Sequence, residues 1–216
     1  MTFTLTRTHW AALTAVVLAL LFAGAAAVAS TGDGGEARPP RTPAADSAEA
    51  GFARDMSVHH QQAVEMSFIV RDRTTDAEVR RLAYDIANTQ ANQRGMMQGW
   101  LDLWGLPKVA MDQEPMAWMG MPSHHGGGAG PGLMPGMATK AELDRLRAAS
   151  GRQAEILYLQ LMTDHHKGGV HMAQGCVEKC GVPVERRLAQ GMVDAQESEI
   201  RLMADMLAQR GAKPRG

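Results

Sequence analysis

Hydrophobic residues recur at helical spacing through most of the chain beyond residue 46. This spacing predicts amphipathic helices, and no segment alternates apolar and polar residues as a half-buried strand would. Four long helices in one domain predict an all-α protein with a four-helix bundle. The expected helices cover about 47–71, 75–105, 140–180 and 183–210.

Capping residues and helix breakers set the expected helix ends. Thr75 with Glu78, and Thr139 with Glu142, have the spacing of a capping box and should open the second and third helices. Ser150-Gly151 can interrupt the third helix. The segment before this break is therefore expected either as the start of that helix or as a separate short one.

The second half of the helical region repeats the first at a constant offset of 106 positions. The segment M-x2-H-H-x5-M occurs at 56–66 and again at 162–172. Other identities, including an Arg-Arg-Leu-Ala segment, stay in register without a gap. We interpret 52–105 and 158–211 as two copies of one helical hairpin.

Helical geometry predicts where the side chains of the repeated segment point. Successive residues are about 100° apart, so the two Met and two His of each copy fall in one arc of about 120°. Glu65 and His171 fall outside this arc. The arc is also the apolar stripe, so it should face the bundle interior. Its members are Met56, His59, His60 and Met66 in the first copy, and Met162, His165, His166 and Met172 in the second.

Imidazole and thioether side chains together suit a soft or borderline metal ion, above all copper. Four buried histidines each need a polar partner, and a metal ion would satisfy them together. Gln90, Gln93, Gln196 and Glu199 recur at repeat-matched places on the second and fourth helices. We expect them to support metal-binding histidines; alternatively, they satisfy the histidines without a metal. Met at helical spacing is usually core filler, so the role of the Met residues as ligands stays open.

The donor types favour copper over other metals. The chain has no E-x-x-H segment, and the inward stripes of the repeated segments carry no carboxylate, which argues against a di-iron centre. Zinc gains little from thioether ligands. Thioether with imidazole favours Cu(I), and the histidines alone would also hold Cu(II).

The loop at 106–138 is rich in Met, His, Gly and Pro and lacks helical periodicity. It either crosses the bundle, as in ferritin-like folds, or lies outside it. Met residues in an exposed loop have no core to fill, so we expect auxiliary soft-metal ligands here, unless compositional bias alone explains them. The candidates are Met116, Met119, Met121, His124 and His125.

Cys176 and Cys180 are the only cysteines. Val70 and Thr74 occupy the matching positions of the first copy, so the cysteines are not part of the duplicated pattern. In an exported protein a disulfide is the first expectation, although a regular helix holds this pair awkwardly for one. Free or metal-binding thiols are the second.

The N-terminal segment has the features of an export signal. An apolar run at 10–29 follows Arg7 and ends in Ala-x-Ala. We expect 1–29 to be a cleaved signal peptide, with a membrane anchor through the same run as the alternative. Residues 30–46, rich in Gly, Pro and charge, predict a disordered linker. The bundle domain then covers 47–211, in the cell envelope or outside the cell.

The repeated segments resemble those of the domain of unknown function 305 family. Its hallmark is a duplicated hairpin bearing M-x2-H-H-x2-[AG]-x2-M, and both copies fit. A Q-x2-[EQ]-x3-M element also matches, at 90–97 and 196–203. The resemblance covers most of 52–208 and implies a ferritin-like bundle. The family includes an exported copper-binding protein, so copper is implied here too. Gln93 stands where an acidic residue is common.

The leading hypothesis is an exported, non-enzymatic bundle that sequesters copper or hands it over. The second is a structural or interaction module whose histidines are satisfied core residues. A metal-dependent oxidase is third, because the sequence offers no nucleophile–base set and no carboxylate pair. A net charge of −1 gives no global basic field for nucleic acid.

Overall fold

Five α-helices form the structure, a computed structural model that describes residues 42–120 and 133–215. The predicted signal peptide and residues 30–41 of the predicted linker lie outside these residues. No strand occurs in the described residues, so the all-α prediction is confirmed. None of the described helices is both long and apolar enough to cross a membrane. The helices are α1 Ala48–Arg71, α2 Ala77–Leu103, α3 Lys140–Ala148, α4 Gly151–Lys179 and α5 Pro183–Gln209.

Local sequence sets the helix ends, with one correction. The capping box predicted at Thr139 and Glu142 is present at the start of α3, and the break at Ser150-Gly151 separates α3 from α4. Thr75, however, does not cap α2. The cap is Asp76, whose carboxylate accepts hydrogen bonds from two backbone N–H groups of the first turn. An ionised carboxylate also complements the positive end of the helix dipole.

The central helices α1 and α4 run antiparallel. The hydroxyl oxygens of Ser67 and Tyr158 lie 3.0 Å apart near one end, and Met56 and Met172 share an apolar cluster near the other. Each central helix packs against its own hairpin partner, α1 on α2 and α4 on α5. The two hairpins meet along α1 and α4.

The connection between the two hairpins crosses the bundle. It leaves α2 where Leu101 and Trp104 pack in the same cluster as Met56. The helix α4 begins at the opposite end, where the Gly151 N–H donates to the Arg73 carbonyl over 2.7 Å. Of the two courses that the sequence left open, the structure has the crossing one, as in ferritin-like bundles.

The core consists of two apolar clusters, one on each side of the motif histidines. Each cluster contains one motif methionine from α1 and one from α4, because these helices are antiparallel. The histidines lie between the two methionines of each helix, so they form a polar layer between apolar ones. Met66 and Met162 belong to one cluster, and Met56 and Met172 to the other.

The last part of the crossover is fixed against the central helices. The Gln62 amide donates from Nε2 to the Ala138 carbonyl over 2.9 Å and accepts from the Ala138 N–H over 2.7 Å. The Pro135 carbonyl lies against Gly168 of α4, where a β-carbon would overlap it. Glycine at this position therefore permits the close approach of the two chain segments.

We expect Gly168→Ala to lower the free energy of unfolding by about 2 kcal/mol, because the new methyl group displaces the Pro135 carbonyl. Gly191→Ala is the matched control: Gly191 is inside α5, and its β-carbon would have nothing within 4 Å. That control should gain about 0.5–1 kcal/mol in helix propensity. Urea unfolding of both variants measures the difference. Equal gains at both positions would contradict the close approach.

Candidate metal centre

The four motif histidines form a row across the bundle, and all are fully buried. His59 of α1 and His165 of α4 lie at its centre, where their ring centroids are 3.8 Å apart at an interplanar angle of 31°. His60 and His166 lie toward the outer helices α2 and α5. Glu65 pairs with Arg147 at the surface. We call His59, His60, His165 and His166 the histidine row.

The central pair is held by backbone carbonyls. Nε2 of His165 is 3.0 Å from the carbonyl oxygen of His59 on the facing helix. Nε2 of His59 is 3.1 Å from the carbonyl oxygen of Pro135 in the crossover. A carbonyl only accepts hydrogen bonds, so Nε2 carries the hydrogen in both rings.

The outer pair is held by side chains of the predicted supporting set. Nε2 of His60 is 2.8 Å from Oε1 of Gln93 on α2. Nε2 of His166 is 2.7 Å from Oε2 of Glu199 on α5. The two hydrogen bonds occupy repeat-matched positions. An oxygen therefore faces Nε2 in all four rings, which assigns the hydrogen to that nitrogen.

The other ring nitrogen, Nδ1, is buried and has no hydrogen-bond partner in any of the four histidines. Burial lowers the pKa of His59 to about 4 and that of His60 to about 3. Burial and the neighbouring rings also lower the pKa of His165 well below its usual value. These rings are neutral near pH 7. A neutral imidazole with its hydrogen on Nε2 has its lone pair on Nδ1, where it can bind a metal ion.

The row is not gathered into one four-nitrogen cage. Within 42–120 and 133–215, no three nitrogens from three different histidines lie within 4.8 Å of one another. The centroids of His165 and His166 are 6.4 Å apart. An ion bound in this arrangement needs further ligands besides the imidazoles. The motif methionines are buried in the apolar clusters on both sides of the row.

Gln90 and Gln196 make no hydrogen bond to the row, unlike the other two predicted supports. Each is only 3% exposed, and the Oε1 atom of each has no partner. A β-carbon at Gly169 would overlap Oε1 of Gln196. Gly169 therefore makes room for the Gln196 amide, whose buried oxygen has no hydrogen-bond partner.

Met116 and Met119 have a core to fill, so the expectation that they lie in an exposed loop is wrong, whereas their role as auxiliary metal ligands stays a prediction. Met116 is 3% exposed and belongs to the cluster of Met56, and Met119 packs against that cluster. The turn is held by Asp55, which accepts hydrogen bonds from the Met116 N–H and the Trp118 indole N–H. Within the described part of the crossover, Met116, Trp118 and Met119 pack inward, whereas Val109 and Met111 are exposed. Met121, His124 and His125 lie outside the described residues.

The predicted disulfide between Cys176 and Cys180 is present. Cys180 is the C-cap of α4, and its backbone is extended, with φ −70° and ψ 128°. The second cysteine thus lies outside the regular helix. This removes the difficulty that helical geometry poses for a disulfide at this spacing.

A buried carboxyl group beside the disulfide was not predicted. Glu185 of α5 is 0% exposed, and neither of its carboxyl oxygens has a hydrogen-bond partner. Burial, together with the nearby Glu49, raises its pKa to about 9. One sequence signal pointed to its burial. The matching residue of the first copy is Val79, so Glu185 occupies a position that is apolar in the other hairpin.

The sequence matches the family described as Domain of unknown function (DUF305) over residues 49–207. The chain belongs to this family. A DUF305 protein from Streptomyces coelicolor, described as a candidate secreted protein, is 72% identical. The match covers 80% of this chain and 99% of that one, with a TM-score of 0.74. A DUF305 fragment from Deinococcus radiodurans is 33% identical over 79% and 99% of the two chains, with a TM-score of 0.62.

The fold is also similar to that of CopM in its Cu(I)-bound form. That structure is 21% identical, with a TM-score of 0.55, and the match covers 76% of this chain and 96% of that one. CopM structures with Cu(II) and with Ag bound match comparably. No curated protein matches the chain.

We expect acid to destabilise the metal-free protein through the row. The pKa values of His59, His60 and His165 are lowered in the folded state from 6.5, so the unfolded chain takes up protons first as the pH falls. Their contribution to stability is complete above about pH 6.5 and is lost as the pH falls to about 4 for His59 and to about 3 for His60. The loss is at most about 1.4 kcal/mol per pH unit for each histidine.

Urea unfolding between pH 7.5 and 5 measures this slope. His60→Gln should make it shallower, whereas His171→Gln, at an exposed position of α4, should leave it unchanged. A His60→Gln slope equal to that of the wild type would show that the buried ring does not titrate as described.

Proposed function

From its place in the DUF305 family and the chemistry of its histidine row, we propose that this protein binds copper, either to sequester it or to hand it over. The observation that carries the proposal is the set of four buried Nδ1 atoms without a partner. A buried polar atom left unpaired costs about 1–3 kcal/mol. A bound metal ion would remove this cost at each Nδ1 atom that it takes as a ligand.

The surroundings of the row support this role. Each Nε2 hydrogen is fixed by an oxygen, on Pro135, His59, Gln93 or Glu199. Such contacts hold a ligand histidine in one tautomer and one ring orientation, and a carboxylate also raises its basicity. The Nδ1 lone pairs are therefore prepared before an ion arrives. Four unrelated core histidines would not be expected to share this arrangement.

The donor set favours copper. The row supplies imidazole nitrogens, and the flanking layers supply thioether sulfurs from Met56, Met66, Met162 and Met172. Imidazole with thioether suits Cu(I), and imidazole alone suits Cu(II). The copper- and silver-bound structures of CopM concern that protein, but they come from the same fold and make these ions the first to test.

The alternative is a structural bundle whose histidines are satisfied by core partners. It accounts for the four Nε2 atoms, each of which has a hydrogen-bond partner. It leaves all four Nδ1 atoms unexplained. We also propose export, from the apolar run at 10–29 and from the description of the Streptomyces coelicolor relative as a candidate secreted protein.

We expect the purified protein to bind Cu(I) in competition with a chromogenic Cu(I) chelator. Replacing both central histidines, His59→Gln with His165→Gln, should weaken binding by about 100-fold or more, because two nitrogen donors are lost. His171→Gln is the matched control, since His171 is an exposed histidine on the same helix as His165.

Circular dichroism of each variant establishes that the bundle is folded before affinities are compared. Unchanged Cu(I) affinity in the folded double variant would overturn the proposal. Failure of the wild-type protein to bind either Cu(I) or Cu(II) would do the same. A loss of folding with no effect of copper on the wild type would favour the structural alternative.

A further inference from the structure

Three positions at one end of the bundle depart together from the duplicated pattern. In the first hairpin these positions hold two valines and a threonine, Val70, Thr74 and Val79. In the second they hold Cys176, Cys180 and Glu185. All three replacements are residue types that ligate metal ions. The Met and His residues of the motif, by contrast, are identical in the two hairpins. The metal-binding residue types at this end are therefore specific to the second hairpin.

These three side chains lie together in the structure. Their ligand atoms, the two Sγ atoms and one carboxyl oxygen, are all within 4.8 Å of one another. Cys176 is 0%, Cys180 2% and Glu185 0% exposed. A disulfide alone accounts for the two cysteines, but it does not need a carboxyl group beside it. Glu185 is buried at an unrelieved cost, because neither of its oxygens has a partner.

The charged side chains at repeat-matched positions also differ between the two ends of the bundle. At the first end, Arg210 donates from Nε to Glu155 over 2.7 Å. The residue that matches Glu155 in the repeat is Glu49, whose charge contributes to the raised pKa of Glu185. The residue that matches Arg210 is Trp104, which packs in the apolar cluster. The second end therefore has two carboxyl groups and lacks the counterpart of Arg210, a place that a bound cation would take.

We propose that the reduced protein binds a zinc-class divalent ion through the thiolates of Cys176 and Cys180 and the carboxylate of Glu185. Thiolate and carboxylate are both ligands of Zn(II) in proteins. The carboxylate is a hard ligand that suits Zn(II) better than Cu(I), which prefers soft donors such as the thioethers beside the histidine row. The two sites thus differ in metal class, and this one does not depend on the function proposed for the row.

Disulfide reduction opens the site. A thiolate of a dithiol reductant attacks Sγ of Cys180, forming a mixed disulfide and releasing Cys176 as a thiolate that takes up a proton. The second thiol of the reductant then closes its own disulfide and releases Cys180. Two electrons and two protons pass to the protein, and the reductant leaves oxidised. Binding of the metal ion then displaces the protons from both thiols and from the carboxyl group. Because Cys180 ends α4 and Gly181 is exposed, fraying of this helix end admits the reductant.

The test compares the oxidised and the phosphine-reduced protein, with the reductant removed anaerobically. We expect only the reduced form to take up one additional equivalent of Zn(II), measured against a chromogenic chelator. Co(II) should give thiolate-to-metal charge-transfer absorption in the same form. Glu185→Gln keeps both cysteines and should weaken Zn(II) binding by about tenfold or more. Glu197→Gln, at an exposed position of the same helix, should bind as the wild type does.

Three outcomes would overturn the proposal. The first is equal Zn(II) uptake by the oxidised protein and the folded, reduced one. The second is Zn(II) binding by Glu185→Gln as tight as that of the wild type. The third is binding of Cu(I), but of neither Zn(II) nor Co(II), by the reduced cysteines. The variant with His59→Gln and His165→Gln must retain the additional Zn(II) equivalent. This last measurement separates failure of this site from failure of the histidine row.

Discussion

The contact between His59 and His165, where the central helices face each other, is the constraint on which the rest of the structure depends. Two bulky polar rings meet in the core, and each needs an oxygen at Nε2. One ring uses the carbonyl of the facing helix. The other uses Pro135, which the crossover brings to the site. The crossover must therefore approach α4 closely. Gly168 permits this approach, and the two hydrogen bonds between Gln62 and Ala138 hold the crossover in place.

Duplication explains why the row is continuous. Because the copies are in register and the central helices are antiparallel, the two His-His pairs lie side by side between matched methionine layers. The crossover breaks this symmetry, because it gives the repeat-matched residues Gln62 and Gly168 different contacts. The disulfide end breaks it again: three repeat-matched positions differ there, and a buried carboxyl group replaces a valine. The histidine row thus comes from the repeated parts of the structure, whereas the crossover and the disulfide end are specific to one part of the chain.

Periodicity and the repeat offset predicted the helices and their inward faces, because these follow from local spacing. Whether the two histidine pairs meet stayed open, because that depends on how the two hairpins pack. The cap at Asp76 was missed because Thr75 and Glu78 have the same spacing signal as a true capping box. The burial of Met116 was missed because a loop without periodicity does not show which side faces the core. Glu185 was missed because a carboxyl group is rarely buried alone, and the partner of His59 was missed because it is far away in sequence.

The central claim is that Nδ1 of the row binds the metal ion while Nε2 keeps its hydrogen. Nitrogen-15 NMR of the imidazole side chains, recorded before and after addition of Cu(I), tests it most directly. The metal-free protein should show a protonated Nε2 and an unprotonated Nδ1 in His59, His60 and His165. Cu(I) should shift the Nδ1 resonances of the row and leave Nε2 protonated. Protonated Nδ1 atoms before addition, or a Cu(I)-induced shift at Nε2 instead, would contradict the account.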